Sequence, residues 1–516
     1  MQSKNISKNM LIIAAVLIAA VGLFIRFYRV HVSEFLFYDE GMYLGYNRNF
    51  LNLVAQNPPH SIQEFFIISG LIFKNALGTA KAFWFYLINM RVFIVGPEGY
   101  YFSRIISALA GIGTVILTYL FARAYFKSQT VAVLSALILF LLPSHVFYSR
   151  LGMQESLSTL LFLSGVYAYL FSKRGVSFGL FLSAALISLV YFTNYRMIIA
   201  PVFIVCAQCF LDLTRREKID YVKMAGFCIV FAVIIAAIGS LYGGVNNYVN
   251  FGWMLNQAGE AGQYRSLINF LSFPYYIFKL DNVIFGLFFF SGFYLIIKKK
   301  FEYLLPLLMG LLPMVLFSFA AEKGARYLCV VLPFLAMAAA YQIQFFLNVK
   351  KYKKFFGAAV MCMLAGFLFN GLRIAFEQTD YDKAVAWVLT KDPQAKILST
   401  QPVVESLFAS DDKTIVAFPK DPEQFALLLS QGYRYVIIDP QAYISWTADE
   451  RRFTMPLIPP LEAIQKQLVP LVEFDNIKSA LLERFVLDHN QDLPQSLTFL
   501  NTHEGRGKIY IYDLKR

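Results

Sequence analysis

Asp39 and Glu40 stand side by side in F-L-F-Y-D-E-G-M-Y, flanked by Tyr38 and Tyr43. They follow the first long apolar run, Met10 to Ile25, which Arg26 ends. Carboxylates next to hydrocarbon are costly and persist where chemistry or pairing compensates for them. Three further segments collect polar side chains at the ends of apolar runs. H-V-F-Y-S-R-L-G-M-Q-E-S holds His145, Arg150 and Glu155, and T-N-Y-R holds Asn194 and Arg196. A-E-K-G-A-R-Y holds Glu322, Lys323, Arg326 and Tyr327. Acids and guanidinium groups that converge on one face suit an anionic ligand whose reaction needs a base. His145 reads as a hydrogen-bonding loop residue rather than a metal ligand, and Tyr43 and Tyr327 as interfacial aromatics.

The elements that must position these residues are membrane helices. The chain of 516 residues is 58% hydrophobic and 15% charged, and its mean hydropathy is +0.55. Hydropathy windows place spans near 10–25, 102–122, 130–147, 153–171, 177–193, 196–212, 224–241, 281–297, 303–320, 327–347 and 354–370, about eleven in all. The fold class expected is thus a polytopic α-helical membrane protein. Lys4 and Lys8 precede an apolar stretch that has no A-x-A-type cleavage site and reads as an uncleaved first span. The five cysteines all lie in apolar runs, Cys206-x-x-Cys209 included, and read as small apolar fillers.

The basic residues fix the orientation. With a cytoplasmic N-terminus, the inner loops hold Arg123 and Lys127; Lys173 and Arg174; Arg215, Arg216, Lys218 and Lys223; Lys298 to Lys300; and Lys350, Lys351, Lys353 and Lys354. The short outer loops hold only Arg150, Arg196, Lys323 and Arg326. This positive-inside bias puts Asp39, Glu40 and the C-terminal region outside a cytoplasmic membrane. It also accounts for the net charge of +13 without nucleic acid. Two outer loops are long: 26–101, with an apolar-aromatic stretch broken by Lys74, Lys81 and Arg91, and 242–280. The first is expected to carry helices lying in the interface.

Residues 1–370 read as the membrane domain and 371–516 as an extracytoplasmic α/β domain. In the latter, helical and strand patterns alternate from Tyr381 to Asp439, which predicts a small parallel sheet, and K-I-Y-I-Y-D-L reads as a last strand. It has no G-x-G-x-x-G and no P-loop.

A phosphate ester at a lipid interface is the head of a polyprenyl carrier. Arginine forks would hold it, a carboxylate would deprotonate an acceptor hydroxyl, and basic groups would offset charge on the departing phosphate. Here a resemblance becomes specific. The chain resembles the GT-C superfamily of membrane glycosyltransferases, in the branch with protein O-mannosyltransferases and the aminoarabinose transferase of lipid A. The matching segments are Y-D-E, Y-F-S-R-I-I-S-A-L-A-G-I-G-T-V, P-S-H-V-F-Y-S-R-L-G-M-Q-E-S and G-A-R-Y-L-C-V-V-L-P, across roughly residues 8–347.

The resemblance implies a polyprenyl-phosphate sugar donor, a lipid, glycan or protein acceptor, and transfer outside the cytoplasmic membrane. It implies Asp39 as catalytic base and Glu40 as its companion, Arg150 on the donor phosphate, and Lys323 and Arg326 assisting. The family's first-loop lysine corresponds to Lys74 or Lys81. Glu155 stands where the family often has Asp, and Arg196 and Tyr327 are further site candidates. No cofactor is implied with certainty; dependence on a divalent metal varies in the superfamily, and the chain has no His-rich ligand set. The ordinary alternative for Glu40 is pairing with Arg26 or Arg29, and for Arg150 interfacial snorkelling. The reading from another class, a lipid-linked oligosaccharide flippase or polysaccharide transporter, expects internal repeats and mid-membrane charges, and neither is evident.

Overall fold

The computed structural model describes residues 8–30, 38–61, 63–64, 81–90, 102–241, 266–297, 303–320, 322–377, 379–409, 414–419, 421–439, 459–476, 479–488, 490–502 and 508–515. Lys74, with 65–80 and 91–101 of the first long outer loop and 242–265 of the second, lies outside them. Each of the eleven apolar segments falls on helix, from α1 (Lys8–Phe27) to Lys353–Phe376. Five helices among the described residues are long and apolar enough to cross a membrane, six if one bent pair is counted. Four apolar helices are shorter, Phe178–Thr193 and Leu304–Ser318 among them. The protein is a multi-pass membrane protein, and among the described residues the helices of full length are fewer than the eleven spans expected.

The third expected span, 130–147, breaks into Gln129–Leu141 and Pro143–Arg150, bent by 56°. Pro143 has no N–H for the preceding turn and suits the first turn of a new helix. His145 therefore sits in a buried helix rather than in a loop.

Small and hydroxylated residues allow close packing. On Phe102–Phe126 the buried face carries Ser103, Ser107, Ala108, Ala110, Gly111, Thr114, Thr118 and Ala122. A Cβ at Gly111 would lie 2.7 Å from Ser149 Cβ, so glycine lets Pro143–Arg150 approach. The Thr114 and Thr118 hydroxyls donate to the carbonyls one turn back, at 2.8 and 2.7 Å, and need no water.

Beyond the membrane helices, the described residues form a five-stranded sheet of order β2-β1-β3-β5-β4. Its strands are β1 (Lys396–Ser399), β2 (Ile415–Ala417), β3 (Tyr433–Ile438), β4 (Val472–Asp475) and β5 (Lys508–Asp513). The first three pair in parallel, while β5 pairs antiparallel with β3 and β4. The sheet is thus mixed, not wholly parallel. The last strand follows helices that leave the sheet: Ser479–Asp488 and Leu493–Thr502 bury Phe485, Val486, Leu487, Leu493 and Leu500 in the same core as the membrane helices.

α2 (Tyr38–Gln56) is held between the two layers. Its Leu44 enters the core beneath the sheet with Val404, Ile397 and Ile437. Arg48 donates to the Ser406 carbonyl at 2.8 Å, and a Cβ at Gly41 would lie 2.9 Å from Val404 Cγ2. On its other side Tyr43 meets Phe85 edge to face, ring centroids 5.5 Å apart. The sheet and the membrane helices together therefore fix the position of Asp39 and Glu40.

Candidate functional site

The two adjacent carboxylates take different partners because neighbours on a helix point about 100° apart. Glu40 is sealed. It accepts two hydrogen bonds from Arg104, at 2.6 and 2.9 Å, and one from the Gly152 backbone N–H at 2.6 Å. The expected pairing of Glu40 with a base is seen, but the base is Arg104 rather than Arg26 or Arg29. Asp39 keeps 16% of its side chain exposed and accepts a hydrogen bond from Arg326 Nη1.

Arg326 is the hub. Its Nη2 lies 3.4 Å from Glu322 and its Nε 3.5 Å from Asp488. Glu322 also pairs with Arg196 at 3.6 Å, and the Arg196 guanidinium lies 4.4 Å from the centroid of the Tyr327 ring. Tyr327 is buried among these groups rather than set at the interface. Asn194, ahead of the short 3-10 helix Tyr195–Ile199, accepts from the Arg196 N–H at 3.3 Å.

Glu155 opens the helix Glu155–Leu170 and is 1% exposed. Neither of its carboxylate oxygens has a hydrogen-bond partner among the described residues. It lines a small cavity with Ser158, Asn194, Arg196, Arg326 and Tyr327. Lys81 donates to the Tyr43 hydroxyl, and burial, set against attraction to Asp39, lowers its ammonium to about 8.

Lys323 turns its Nζ to the Ala320 carbonyl at 2.9 Å. Its backbone N–H meets the Asn490 carbonyl at 2.7 Å. Burial lowers the Lys323 ammonium to about 8, opposed by Asp492. Arg150 donates to the Ile25 carbonyl and, at 3.0 Å, to the Tyr28 carbonyl, closing the end of α1. Arg26 donates to the Gly22 and Phe140 carbonyls at 3.1 and 2.8 Å and lies 3.0 Å from His145 Nδ1.

The structure thus joins Asp39, Arg326, Glu322, Arg196 and Tyr327, with Glu155 and Lys81 beside them. It gives Glu40 and Arg150 anchoring contacts instead. Two charged residues escaped the sequence reading as site members. Arg104, in the first turn of a span, carried the general signal of an ionisable group at a membrane boundary. Asp488 carried none. Among the described residues no group of three or more His, Cys, Asp or Glu is placed to hold a metal ion.

This architecture has solved counterparts. The oligosaccharyltransferase of Archaeoglobus fulgidus in the apo form superposes with a TM-score of 0.55 at 11% identity, over 96% of this chain and 73% of that one. ArnT from Cupriavidus metallidurans superposes in the apo state with a TM-score of 0.53 at 14% identity, over 90% and 96% of the two chains. The same ArnT bound to undecaprenyl phosphate gives 0.54 at 14% identity, over 86% and 96%. The fold is GT-C-like. No protein-family model matches the sequence, and neither does any curated protein. Within the GT-C-like fold, the Asp39–Arg326 cluster sits where α2, the helix Glu155–Leu170 and the 3-10 helix Ala325–Val331 meet.

Proposed function

We propose that this protein is a glycosyltransferase that moves a sugar from a polyprenyl-phosphate donor to an acceptor hydroxyl at the outer face of the cytoplasmic membrane. The observation that carries the proposal is the partly exposed Asp39 held by Arg326 in a buried cluster of carboxylates and guanidinium groups. The GT-C-like fold, and undecaprenyl phosphate bound to one ArnT neighbour, support it.

Asp39 accepts the proton of the acceptor hydroxyl. The acceptor oxygen forms a bond to the anomeric carbon as the bond from that carbon to the phosphate oxygen breaks, and the electron pair leaves with polyprenyl phosphate. One base and one displacement invert the anomeric centre. Arg326 orients Asp39 and, with Lys323, Arg196 and Lys81, offsets charge on the departing phosphate. Glu40 is support: with no exposed side-chain surface and both oxygens engaged, it holds Arg104 and the 152 backbone. Arg150, engaged by the Ile25 and Tyr28 carbonyls, keeps α1 in place.

The same proposal takes the N-terminus as cytoplasmic, residues 1–370 as the catalytic membrane domain, and the sheet outside. A direct test pairs Asp39→Asn with mass spectrometry of co-purified lipids. The expected result is a polyprenyl-phosphate sugar retained by both proteins and transfer abolished in the variant. Transfer at the native rate by Asp39→Asn removes Asp39 as base, and absence of any such lipid from the native protein removes the donor class.

A further inference from the structure

The loop carrying Arg326 is not held by its own sequence. Gly324 caps the 3-10 helix Ala325–Val331 and has no side chain to bond the first free N–H groups. The missing acceptor comes from 162 residues downstream: Asp488 Oδ1 accepts the Arg326 N–H at 2.7 Å. The same oxygen accepts the Tyr148 hydroxyl at 2.8 Å, while Oδ2 stands 3.5 Å from Arg326 Nε. Asp488 is 0% exposed. The contact is tight enough that a Cβ at Gly324 would lie 2.5 Å from the Asp488 carbonyl. Two residues on, the Asn490 carbonyl takes the Lys323 N–H, and its amide donates to Tyr276 at 2.6 Å.

We propose that Asp488, on the C-terminal arm, is a positioning residue that fixes the Arg326 guanidinium against Asp39 and so completes the site from outside the membrane helices. This rests on the transferase reading of Asp39 and Arg326. Oδ1 sets the main chain of Arg326 and Oδ2 faces its Nε, which leaves Nη1 turned to Asp39. Without that carboxylate the fork is free to rotate toward Glu322, and the base loses its fixed geometry.

The test uses the full chain in lipid nanodiscs, with a polyprenyl-phosphate sugar as donor and thermal unfolding followed alongside. Asp488→Asn keeps an oxygen for the Arg326 N–H and for Tyr148 but places an amide donor against Nε; Asp488→Ala removes both functions. Misplacement of catalytic groups is expected to lower kcat by ~100-fold for Ala and ~10-fold for Asn, with donor KM within ~2-fold of native. Tyr148→Phe keeps the carboxylate and frees one of its bonds, and kcat is expected to fall by ~3-fold at unchanged KM. A folded Asp488→Asn protein with native kcat overturns the proposal, and so does a change confined to KM or to melting temperature. If Asp488→Asn does not fold, Tyr148→Phe decides, and native kcat there overturns the proposal. A native chain that transfers nothing from the donor fails the transferase reading itself, a result separable from every variant outcome.

Discussion

Glu40 and Arg104 form a two-point ion pair sealed from solvent, with 2.6 and 2.9 Å bonds between the first turn of α2 and the first turn of the helix Phe102–Phe126. The pair joins an element held by the sheet to one held by the membrane helices. It leaves Asp39, the next residue, as the partly exposed carboxylate.

Breaking that pair from one side strands a buried charge, which costs about 3–5 kcal/mol. Arg104→Met is therefore expected to lower the unfolding temperature sharply. Glu40→Gln combined with Arg104→Met recovers part of the loss, because neither variant side chain carries a charge. Thermal unfolding of the two single variants and the double variant measures the coupling. Additive losses would show that the pair carries no coupling.

Lys323 provides a pH signature. Burial lowers its ammonium to about 8, so it is charged below that pH and neutral above it. An anionic donor is bound better by the charged form, and donor affinity is expected to weaken several-fold, roughly, between pH 7 and pH 9. Stability moves the other way. The folded value lies below the ordinary 10.5 of an unfolded lysine, so the unfolded chain holds more protons between about 8 and 10.5, and stability rises with pH across that window. Lys323→Arg stays charged throughout and should make the affinity profile shallower, leaving the share of Lys81, which also titrates near 8, as titration calorimetry with a polyprenyl phosphate would read. An unchanged slope in Lys323→Arg assigns the dependence elsewhere.

The short helix Pro402–Glu405, between β1 and β2, holds a separate titrating group. Glu405 is fully buried, and burial reinforced by the nearby Asp439 pushes its carboxyl well above the usual carboxylate range, against a smaller lowering by Ser399. In the fold it holds its proton at pH values where the unfolded chain has released it. Stability therefore falls as pH rises above the unfolded value, about 4.3 for a glutamate. Glu405→Gln is expected to raise the melting temperature at pH 7 and to leave it near native at pH 4. Equal melting temperatures at pH 7 would place no such cost on Glu405.

Much of the helical framework was written locally. Apolar runs long enough for the membrane fall on helices, but the break at Pro143, which bends the 130–147 segment by 56°, was not anticipated. In the C-terminal region the alternation from Tyr381 to Asp439 matched helix Tyr381–Lys391, β1, β2, helix Pro422–Ser430 and β3 in order. β4 was not anticipated, because V-E-F-D is short and half polar, and the antiparallel return of β5 was not. Strand direction depends on where the preceding helices go, and here they leave for the membrane core.

At the site, residue types at the ends of apolar runs picked out Asp39, Arg326, Glu322, Arg196 and Glu155, since an ionisable group beside hydrocarbon is rarely idle. The same rule could have added Arg104. It could not separate the roles of Asp39 and Glu40, nor tell that Arg150 bonds the end of α1. The sequence by itself determined a helical membrane chain with acids and guanidinium groups gathered at its helix ends, because hydrophobicity and charge act residue by residue. Only the tertiary structure decided which acid faces which arginine. It decided too that Asp488, 162 residues away, caps the Arg326 loop, because such contacts follow from how distant elements pack and leave no local pattern to read.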